Sequence, residues 1–395
     1  MSGFLGTFSF LSTEDAFSGK NLLKYYFLKI FRFLPLLVMV NVFALFLIPF
    51  IGTGPYWNTY DTVMAPCKTY WWTTLLFVNN IYPTSGYDEK CMPWAWYIPA
   101  LVQLSLLLPP ILAIYVKLVS INKTAVRFFF GTIIALSFIA CGVVTYSYDL
   151  GALPFLITST AREPATDPNE TFSVSFDFYS KVYMQSYFHL GSYVAGIALA
   201  TSYKRFLQDR AKDRGEGREH SRSSRFYEAI MNNSGLRYSC YMMGALLCFF
   251  SMLWQQPFVT QGDKMSRFQC ALYNALSPLI FLLGFACFWI PALVGKACFF
   301  RKVFGSGIWL AFSNLSATIY LIGPIMSLWY SMSVAHQIDF GFYTQQYAFD
   351  GNLVFTFIFS VIVAIMSDRP YLAFVSLPKD LKLAENDEDN DLAEF

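Results

Sequence analysis

The sequence predicts an all-α polytopic membrane protein with about eight transmembrane helices. Of its 395 residues, 55% are hydrophobic and only 14% are charged, whereas a soluble domain carries about 25% charged residues. Eight segments are apolar over lengths close to the roughly 20 residues that an α-helix needs to cross a bilayer. The eight predicted spans are 33–52, 94–116, 128–146, 187–203, 238–254, 271–294, 308–330 and 352–367.

The chain begins with an apolar segment at 1–11 that is too short to cross a membrane. Polar residues follow it directly, so the sequence predicts a partial helix there, equivalent to the last half of a span. Among the spans, 94–116 is interrupted by Pro99, Pro109 and Pro110. Because neighbouring helices must satisfy the backbone groups that a proline frees, we expect this helix to lie inside the bundle.

The basic residues predict the orientation of the chain. If the N-terminus is placed inside and the spans alternate, 22 of the 28 Lys and Arg residues fall on the inner side. Such an excess of positive charge is typical of the inner loops of membrane proteins. This interpretation places the N- and C-termini on the matrix or cytosolic side and supports the count of eight spans.

The outer loop at 53–93 contains two of the eight cysteines, Cys67 and Cys91. A disulfide between them would close a loop of about 24 residues and contribute roughly 3 kcal/mol to stability. Two free thiols are the alternative. A bridge there also requires an oxidising outer compartment.

The predicted spans contain no Asp, Glu, Lys or Arg. Proton pumps and ion-coupled transporters place such groups inside the bundle, so the sequence disfavours both classes.

His189 lies near the outer end of the fourth span, and His336 lies in an outer loop. His189 is either an interfacial polar residue or a general base at the outer mouth. No residue pattern predicts a metal site or nucleic-acid binding.

The inner loop at 204–237 is strongly basic. Its first cations, Lys204, Arg205 and Arg210, are candidates to contact acyl-CoA or an anionic lipid such as cardiolipin. An ordinary solvated loop of the positive-inside kind is the alternative. The acidic tail at 383–395 is expected to be disordered and solvated.

Aromatic, cysteine and amide residues of the outer loop and its flanks follow a specific order. The loop residues are Gly54-Pro55-Tyr56-Trp57, Cys67, Trp71-Trp72, Asn79-Asn80, Cys91, Trp94-Ala95-Trp96-Tyr97 and Gln103. Weaker matches are Lys29, Arg32 and Pro35 upstream and Leu315-Ser316, Tyr320-Leu321, Pro324 and Asp368-Arg369-Pro370 downstream. This pattern resembles the acyltransferase-3 family, in particular its nose-resistant-to-fluoxetine-like branch. The resemblance indicates one transmembrane domain at 1–382.

The resemblance implies a multi-span enzyme that moves an acyl group, typically from acyl-CoA, onto a hydroxyl of a lipid or sugar. It also implies a catalytic His on the first membrane helix. Ser2-Gly3-Phe4-Leu5 resembles the end of the family's second helix, so we expect the chain to lack that His. Leu101 stands where the family has an acidic residue, Gly323 where it has a His, and His189 where it has an Arg. These departures predict that proton transfer is lost.

Two functional hypotheses follow. The first is a catalytically degenerate acyltransferase-3-like pseudoenzyme, without a cofactor, that serves as a structural, lipid-contacting subunit of a larger membrane complex. The alternative is an active membrane O-acyltransferase with acyl-CoA as co-substrate and His189 or His336 assisting. Its first helix would come from another chain or from upstream of Met1. A third hypothesis, a lipid or sterol transporter, is not supported by any positive feature of the sequence.

The expected partners are membrane lipids, cardiolipin among them, and other membrane protein subunits. An inert polytopic protein is best explained as part of a large obligate complex. The mitochondrial inner membrane is rich in such complexes and is therefore the preferred location, with an endomembrane or the plasma membrane as the alternative.

Overall fold

The computed structural model describes residues 1–13, 15–84, 86–151, 177–213, 222–254, 265–294, 305–334 and 341–393. Within these ranges the regular structure is helical, with no strand. The helices are α1 Ser2–Leu11, α2 Gly19–Val42, α3 Ile48–Ile51, α4 Trp57–Leu75, α5 Tyr97–Ile121, α6 Lys123–Ser147, α7 Ser186–Asp213, α8 Arg222–Asn232, α9 Ser234–Leu253, α10 Arg267–Leu293, α11 Gly307–Ser333 and α12 Phe342–Ala393. Two π-turns, Phe43–Leu47 and Tyr179–Tyr183, and a 3₁₀ turn, Pro93–Trp96, complete the list.

Seven helical stretches in the described ranges are long and apolar enough to cross a bilayer. The prediction of an all-α polytopic membrane protein is therefore confirmed. A short apolar helix, Ser2–Leu11, is present at the N-terminal segment. The seven stretches are Gly19–Ile51, Pro93–Ile121, Lys123–Ser147, Ser234–Leu253, Arg267–Leu293, Phe312–Ser333 and Phe342–Ser367.

The fourth predicted span, 187–203, accounts for the difference between eight and seven. It is helical and forms most of α7, but it is not among the seven stretches. Polar residues such as His189, Ser192 and Thr201 dilute its apolar character, and charged residues follow from Lys204 onward.

Side-chain caps fix the starts of three of the long helices. Asn122 accepts a hydrogen bond from the backbone N–H of Thr124 at the start of α6. Asn233 does the same for Leu236 in α9. Ser266 and Gln269 form a reciprocal capping box at the start of α10. These side chains satisfy backbone donors that the first turn of a helix leaves without a partner.

The chain divides into two compact units, and unit 1 comprises Met1–Leu23, Asn80–Glu89 and Pro99–Ser306. In unit 1, α1 packs against α7 and α7 packs against α6. The α1–α7 contact depends on glycine, since a Cβ on Gly3 would lie 2.2 Å from the carbonyl oxygen of Tyr193. A second glycine contact joins α9 to α10, where a Cβ on Gly244 would lie 2.9 Å from the Gly284 carbonyl oxygen.

Unit 2 comprises Lys24–Asn79, Lys90–Ile98 and Gly307–Phe395. Its helices α11 and α12 pack together, and α11 also contacts α4 and the 3₁₀ turn. The predicted bridge is present: Cys67 in α4 and Cys91 are joined in a disulfide, with both residues buried. Helix α12 runs to Ala393. Side chains beyond 367 lie outside the described part of the chain, so the expected disorder of the acidic tail stays a prediction.

Candidate functional site

A cluster of neutral polar side chains, two of them buried and one partly buried, lies in unit 1. Asn80 follows α4, Gln103 belongs to α5, and Ser186 opens α7. The amides of Asn80 and Gln103 pair reciprocally: Nδ2 of Asn80 donates to Oε1 of Gln103 at 3.2 Å, and Nε2 of Gln103 donates to Oδ1 of Asn80 at 3.0 Å. Nδ2 of Asn80 also donates to the Ser186 hydroxyl oxygen at 2.7 Å, and that hydroxyl donates to Oε1 of Gln103.

The segment before α7 completes this cluster with backbone groups. Asn80 donates to the carbonyl oxygen of Met184 at 3.4 Å. Gln185 donates from Nε2 to the carbonyls of Asn80 at 3.2 Å and of Ser180 at 2.9 Å. The cluster therefore joins three distant parts of the sequence through amides and hydroxyls, none of which ionises at neutral pH.

A cavity of about 490 Å³ lies beside α7 in the same unit. Its walls are mainly aromatic and aliphatic, and its volume is typical of a pocket for a small ligand. The side chains of Phe138, Phe178 and Phe281 form part of the apolar wall, and those of His189 and Ser192 are among its polar groups. The remaining lining residues are Cys141, Val182, Tyr183, Phe188, Ser251, Met252, Tyr273, Asn274, Ser277, Pro278, Leu282 and Phe285.

His189 is the histidine of this cavity wall, and its orientation is fixed. Its Nε2 lies 2.7 Å from the carbonyl oxygen of Tyr183. A carbonyl oxygen only accepts, so Nε2 carries the proton and the lone pair of the neutral ring belongs to Nδ1. This tautomer gives His189 the chemical form of a general base.

Ser137 of α6 holds the backbone on both sides of His189. Its hydroxyl lies 3.1 Å from the carbonyl oxygen of Tyr187 and 2.9 Å from that of Phe188. It also accepts a hydrogen bond from the N–H of Gly191 at 3.0 Å. The first turn of α7, and with it the imidazole, is thereby held against α6.

Hydrogen bonds to backbone carbonyls hold the polar residues of the cavity floor. Asn274 donates to the carbonyl of Gly151 at 2.9 Å. Ser277 and Tyr273 both donate to the carbonyl of Ser251, at 3.1 and 3.3 Å. Because these polar groups already bond to backbone carbonyls, a ligand would meet mainly the apolar Phe side chains of the cavity.

The predicted basic site residues Lys204, Arg205 and Arg210 are not among the residues that line this cavity or form the polar cluster. Lys204 donates to the carbonyl oxygen of Leu11 at the end of α1. The Arg205 guanidinium lies over the ring of Tyr115, 5.5 Å from its centroid. Arg210 is exposed on α7. His336 lies outside the described residues.

From the sequence, Asn80 stands out as a residue of the family pattern, and Gln103 stands out both in that pattern and as a neutral polar residue of a predicted span. Ser186 and Ser137 do not stand out. A search for polar residues in or beside apolar segments would have included Ser137, since a buried hydroxyl in a membrane helix needs a partner. It would not have paired it with α7, because the bonded residues lie 50 or more positions apart.

Lys90 is a buried cation of the outer loop in unit 2. Only 1% of its surface is exposed, beside the Cys91 end of the disulfide. Burial disfavours the charged form and lowers the pKa of Lys90 to about 8. Near pH 8, about half of the protein molecules therefore carry a charged Lys90.

Comparison with known proteins identifies the family. A family model described as "Acyltransferase domain", that of the acyltransferase-3 family, matches residues 1–367. The chain is 23% identical over 366 residues to nose resistant to fluoxetine protein 6 of Caenorhabditis elegans. That match covers 90% of this chain but only 41% of the length of the relative. No solved structure matches. The chain belongs to the acyltransferase-3 family, in its nose-resistant-to-fluoxetine-like branch.

Proposed function

We propose that this acyltransferase-like membrane protein is catalytically degenerate and serves as a structural, lipid-contacting subunit of a larger membrane complex. The observation that carries the proposal is the neutrality of the Asn80–Gln103–Ser186 cluster. Acyl transfer to a hydroxyl needs a base that removes the proton of the attacking oxygen. Here the Ser186 hydroxyl donates to an amide oxygen, which has no basicity at neutral pH.

The cavity beside α7 supports the lipid-contacting part of this proposal. Its apolar walls suit a hydrocarbon chain, and its few polar groups are held by the protein backbone. An acyl chain in this cavity gains from the burial of each methylene, about 0.8 kcal/mol for a CH₂ group removed from water. Binding without transfer is the behaviour that we expect of a degenerate member of this family.

Exposed apolar side chains support contact with lipids or other subunits. Helix α9 exposes more than half of the surface of Met242, Leu246 and Phe249. A face of this kind packs against hydrocarbon or against another membrane helix. The same proposal places the termini on the matrix or cytosolic side and the protein in the mitochondrial inner membrane. It also assigns contacts with cardiolipin to Lys204, Arg205 and Arg210.

The test is acyl-CoA turnover by the purified full-length protein in lipid nanodiscs. We expect release of free CoA thiol at the background rate, with or without lipid and sugar alcohols as acceptors. Native electrophoresis of solubilised membranes should show the chain migrating with a large assembly. A free monomer that turns over acyl-CoA would contradict the proposal.

The alternative, an active O-acyltransferase, is favoured by one observation: His189 presents a base-competent tautomer in the wall of the cavity. His189→Gln separates the two functions, because its amide nitrogen replaces the Nε2 donor to Tyr183 but supplies no base. Turnover that His189→Gln abolishes and Ser192→Ala retains would establish the alternative. Absence of turnover in the wild type, in His189→Gln and in Ser192→Ala would support the degenerate function.

A further inference from the structure

A second cavity, of about 580 Å³, lies in unit 2 beside α2 and α4. Val38, Val42 and Leu45 contribute apolar wall from α2 and the following π-turn, and Leu75 contributes it from α4. This cavity is separate from the one that contains His189, and the proposed function does not use it. Its volume is in the range of pockets that hold a small ligand.

The buried amide of Asn41 belongs to the wall of this cavity. Only 6% of the residue is exposed. Its Nδ2 donates to the carbonyl oxygen of Leu37 at 2.8 Å and to the hydroxyl oxygen of Thr74 at 2.9 Å. The Thr74 hydroxyl donates its own proton to the carbonyl of Trp71 at 2.7 Å.

These bonds fix which way the Asn41 amide points. A backbone carbonyl only accepts, and the Thr74 proton is already used, so both partners require the nitrogen of Asn41 on their side. The acceptor Oδ1 must therefore point away from them. Among the described residues, no hydrogen-bond donor reaches this buried oxygen.

A buried acceptor without a donor is costly, and more so in a membrane segment, where water does not supply the missing bond. Native proteins satisfy most such groups, so each exception calls for an explanation. At Asn41 the group belongs to a residue that lines an apolar cavity with the volume of a small-ligand pocket. A ligand in this cavity with a single donor at its polar end would supply the bond that Oδ1 lacks.

We propose that this cavity binds a sterol-like lipid, which is a rigid apolar body with one hydroxyl, and that the hydroxyl donates to Oδ1 of Asn41. A neutral alcohol fits better than a phospholipid, because a phosphate headgroup brings acceptors to a site that already has an acceptor. Asp61 and Lys68 both line the cavity, so its charged residues balance and give no net preference for an anionic headgroup. A diacylglycerol carries two separate chains, whereas a sterol is a single compact apolar body, which suits one cavity of this volume.

Contacts within unit 2 preform the site. The hydroxyl of Tyr60 in α4 donates to the carbonyl of Ala44 in the π-turn at 2.7 Å. The Cys67–Cys91 disulfide fixes α4 a further two turns along. Trp71 on the same wall is about half exposed. The proposal requires its side chain to move aside when the occupant's hydroxyl approaches the enclosed Oδ1.

The test uses the full-length protein in phosphatidylcholine nanodiscs and a photoreactive cholesterol with its diazirine in the ring system. Cross-linked peptides are mapped by mass spectrometry, and unlabelled lipids compete for labelling of the α2 and α4 peptides. We expect cholesterol to compete about tenfold better than cholesterol methyl ether, which cannot donate a hydrogen bond. This comparison needs no variant, so it holds even if a substitution prevents folding.

Two variants and a control test the assignment to Asn41. Asn41→Leu should reduce the advantage of cholesterol over its methyl ether to about onefold, and Leu45→Trp should remove labelling of α2 and α4 by filling the cavity. Asn274→Leu, in the other unit, should change neither result. Equal competition by the alcohol and the ether, an unchanged ratio in Asn41→Leu, or better competition by diacylglycerol than by cholesterol would each overturn the proposal.

Discussion

Replacing Asn80 by Ala removes an amide that bonds to Gln103, to Ser186 and to the carbonyl of Met184. Asn80 is fully buried, so no water replaces these bonds. Ser186 still donates to Gln103 in the variant, but the amide of Gln103 and the carbonyl of Met184 each lose a partner. A buried group left without its bond costs about 1–3 kcal/mol, so we expect a loss of about 2–4 kcal/mol in the free energy of unfolding.

The assay is unfolding in mixed micelles with increasing sodium dodecyl sulfate, followed by tryptophan fluorescence. Asn58→Ala is the matched control: it makes the same chemical change at an exposed position of α4. We expect it to change stability by less than about 0.5 kcal/mol. Asn80→Ala should therefore shift the midpoint well beyond the shift of Asn58→Ala.

A double-mutant cycle tests whether the two amides act as a pair. Asn80→Leu and Gln103→Leu each remove the reciprocal bonds from the other amide, which keeps its bonds to Ser186, whereas the double variant leaves neither amide behind. We expect an interaction energy of about 1–2 kcal/mol, with the double variant less destabilised than the sum of the singles. Additivity of the two effects would refute the pairing that underlies the neutral cluster.

Three further changes probe other parts of the molecule. Gly3→Ala should strongly destabilise unit 1, because its Cβ meets the backbone oxygen of Tyr193 at 2.2 Å and backbone cannot move aside cheaply; thermal unfolding measures this. Replacing Cys67 and Cys91 together by Ser should cost about 3 kcal/mol through the lost loop constraint, measured in the same micelles. Raising the pH from about 8 towards 10.5 should stabilise the native state through Lys90, and Lys90→Met should remove that contribution.

The sign of the Lys90 effect follows from its lowered pKa. Between about 8 and the ordinary value of 10.5, the unfolded state binds more protons than the native state, so stability rises with pH in this window. The difference between the wild-type protein and Lys90→Met isolates this contribution from other titrating groups. For Gly3, the control is Gly19→Ala, where an added Cβ meets no atom within 4 Å. A reducing agent should leave the double Ser variant unchanged while it destabilises the wild type.

Features that depend on local composition were predicted well from the sequence. Apolar segments identify helices that cross a membrane because the bilayer sets both their length and their polarity. The pairing of Cys67 with Cys91 was predictable because these are the two cysteines of one loop. The frequent apolar residues of the segment 187–203 predict a span, but its polar residues reduce its mean hydropathy below that of the other seven.

Features that depend on contacts between distant segments were not predictable in this way. Asn80 and Ser186 are 106 residues apart, and Ser137 contacts a helix that begins about 50 residues later. Nothing in the composition around Asn41 indicates that its oxygen lacks a donor. That fact depends on where Thr74 and the Leu37 carbonyl lie, which are set by the packing of α4 against α2.

The sequence by itself therefore determined the membrane class, the helical architecture, the family and the disulfide, because each follows from local hydropathy or from residue order along the chain. Only the tertiary structure decided which polar groups meet, which tautomer His189 adopts and which buried oxygen has no donor. A hydrogen bond requires two groups within about 3 Å and correctly oriented. In a helical membrane protein, the approach of helices that are far apart in sequence decides whether that requirement is met.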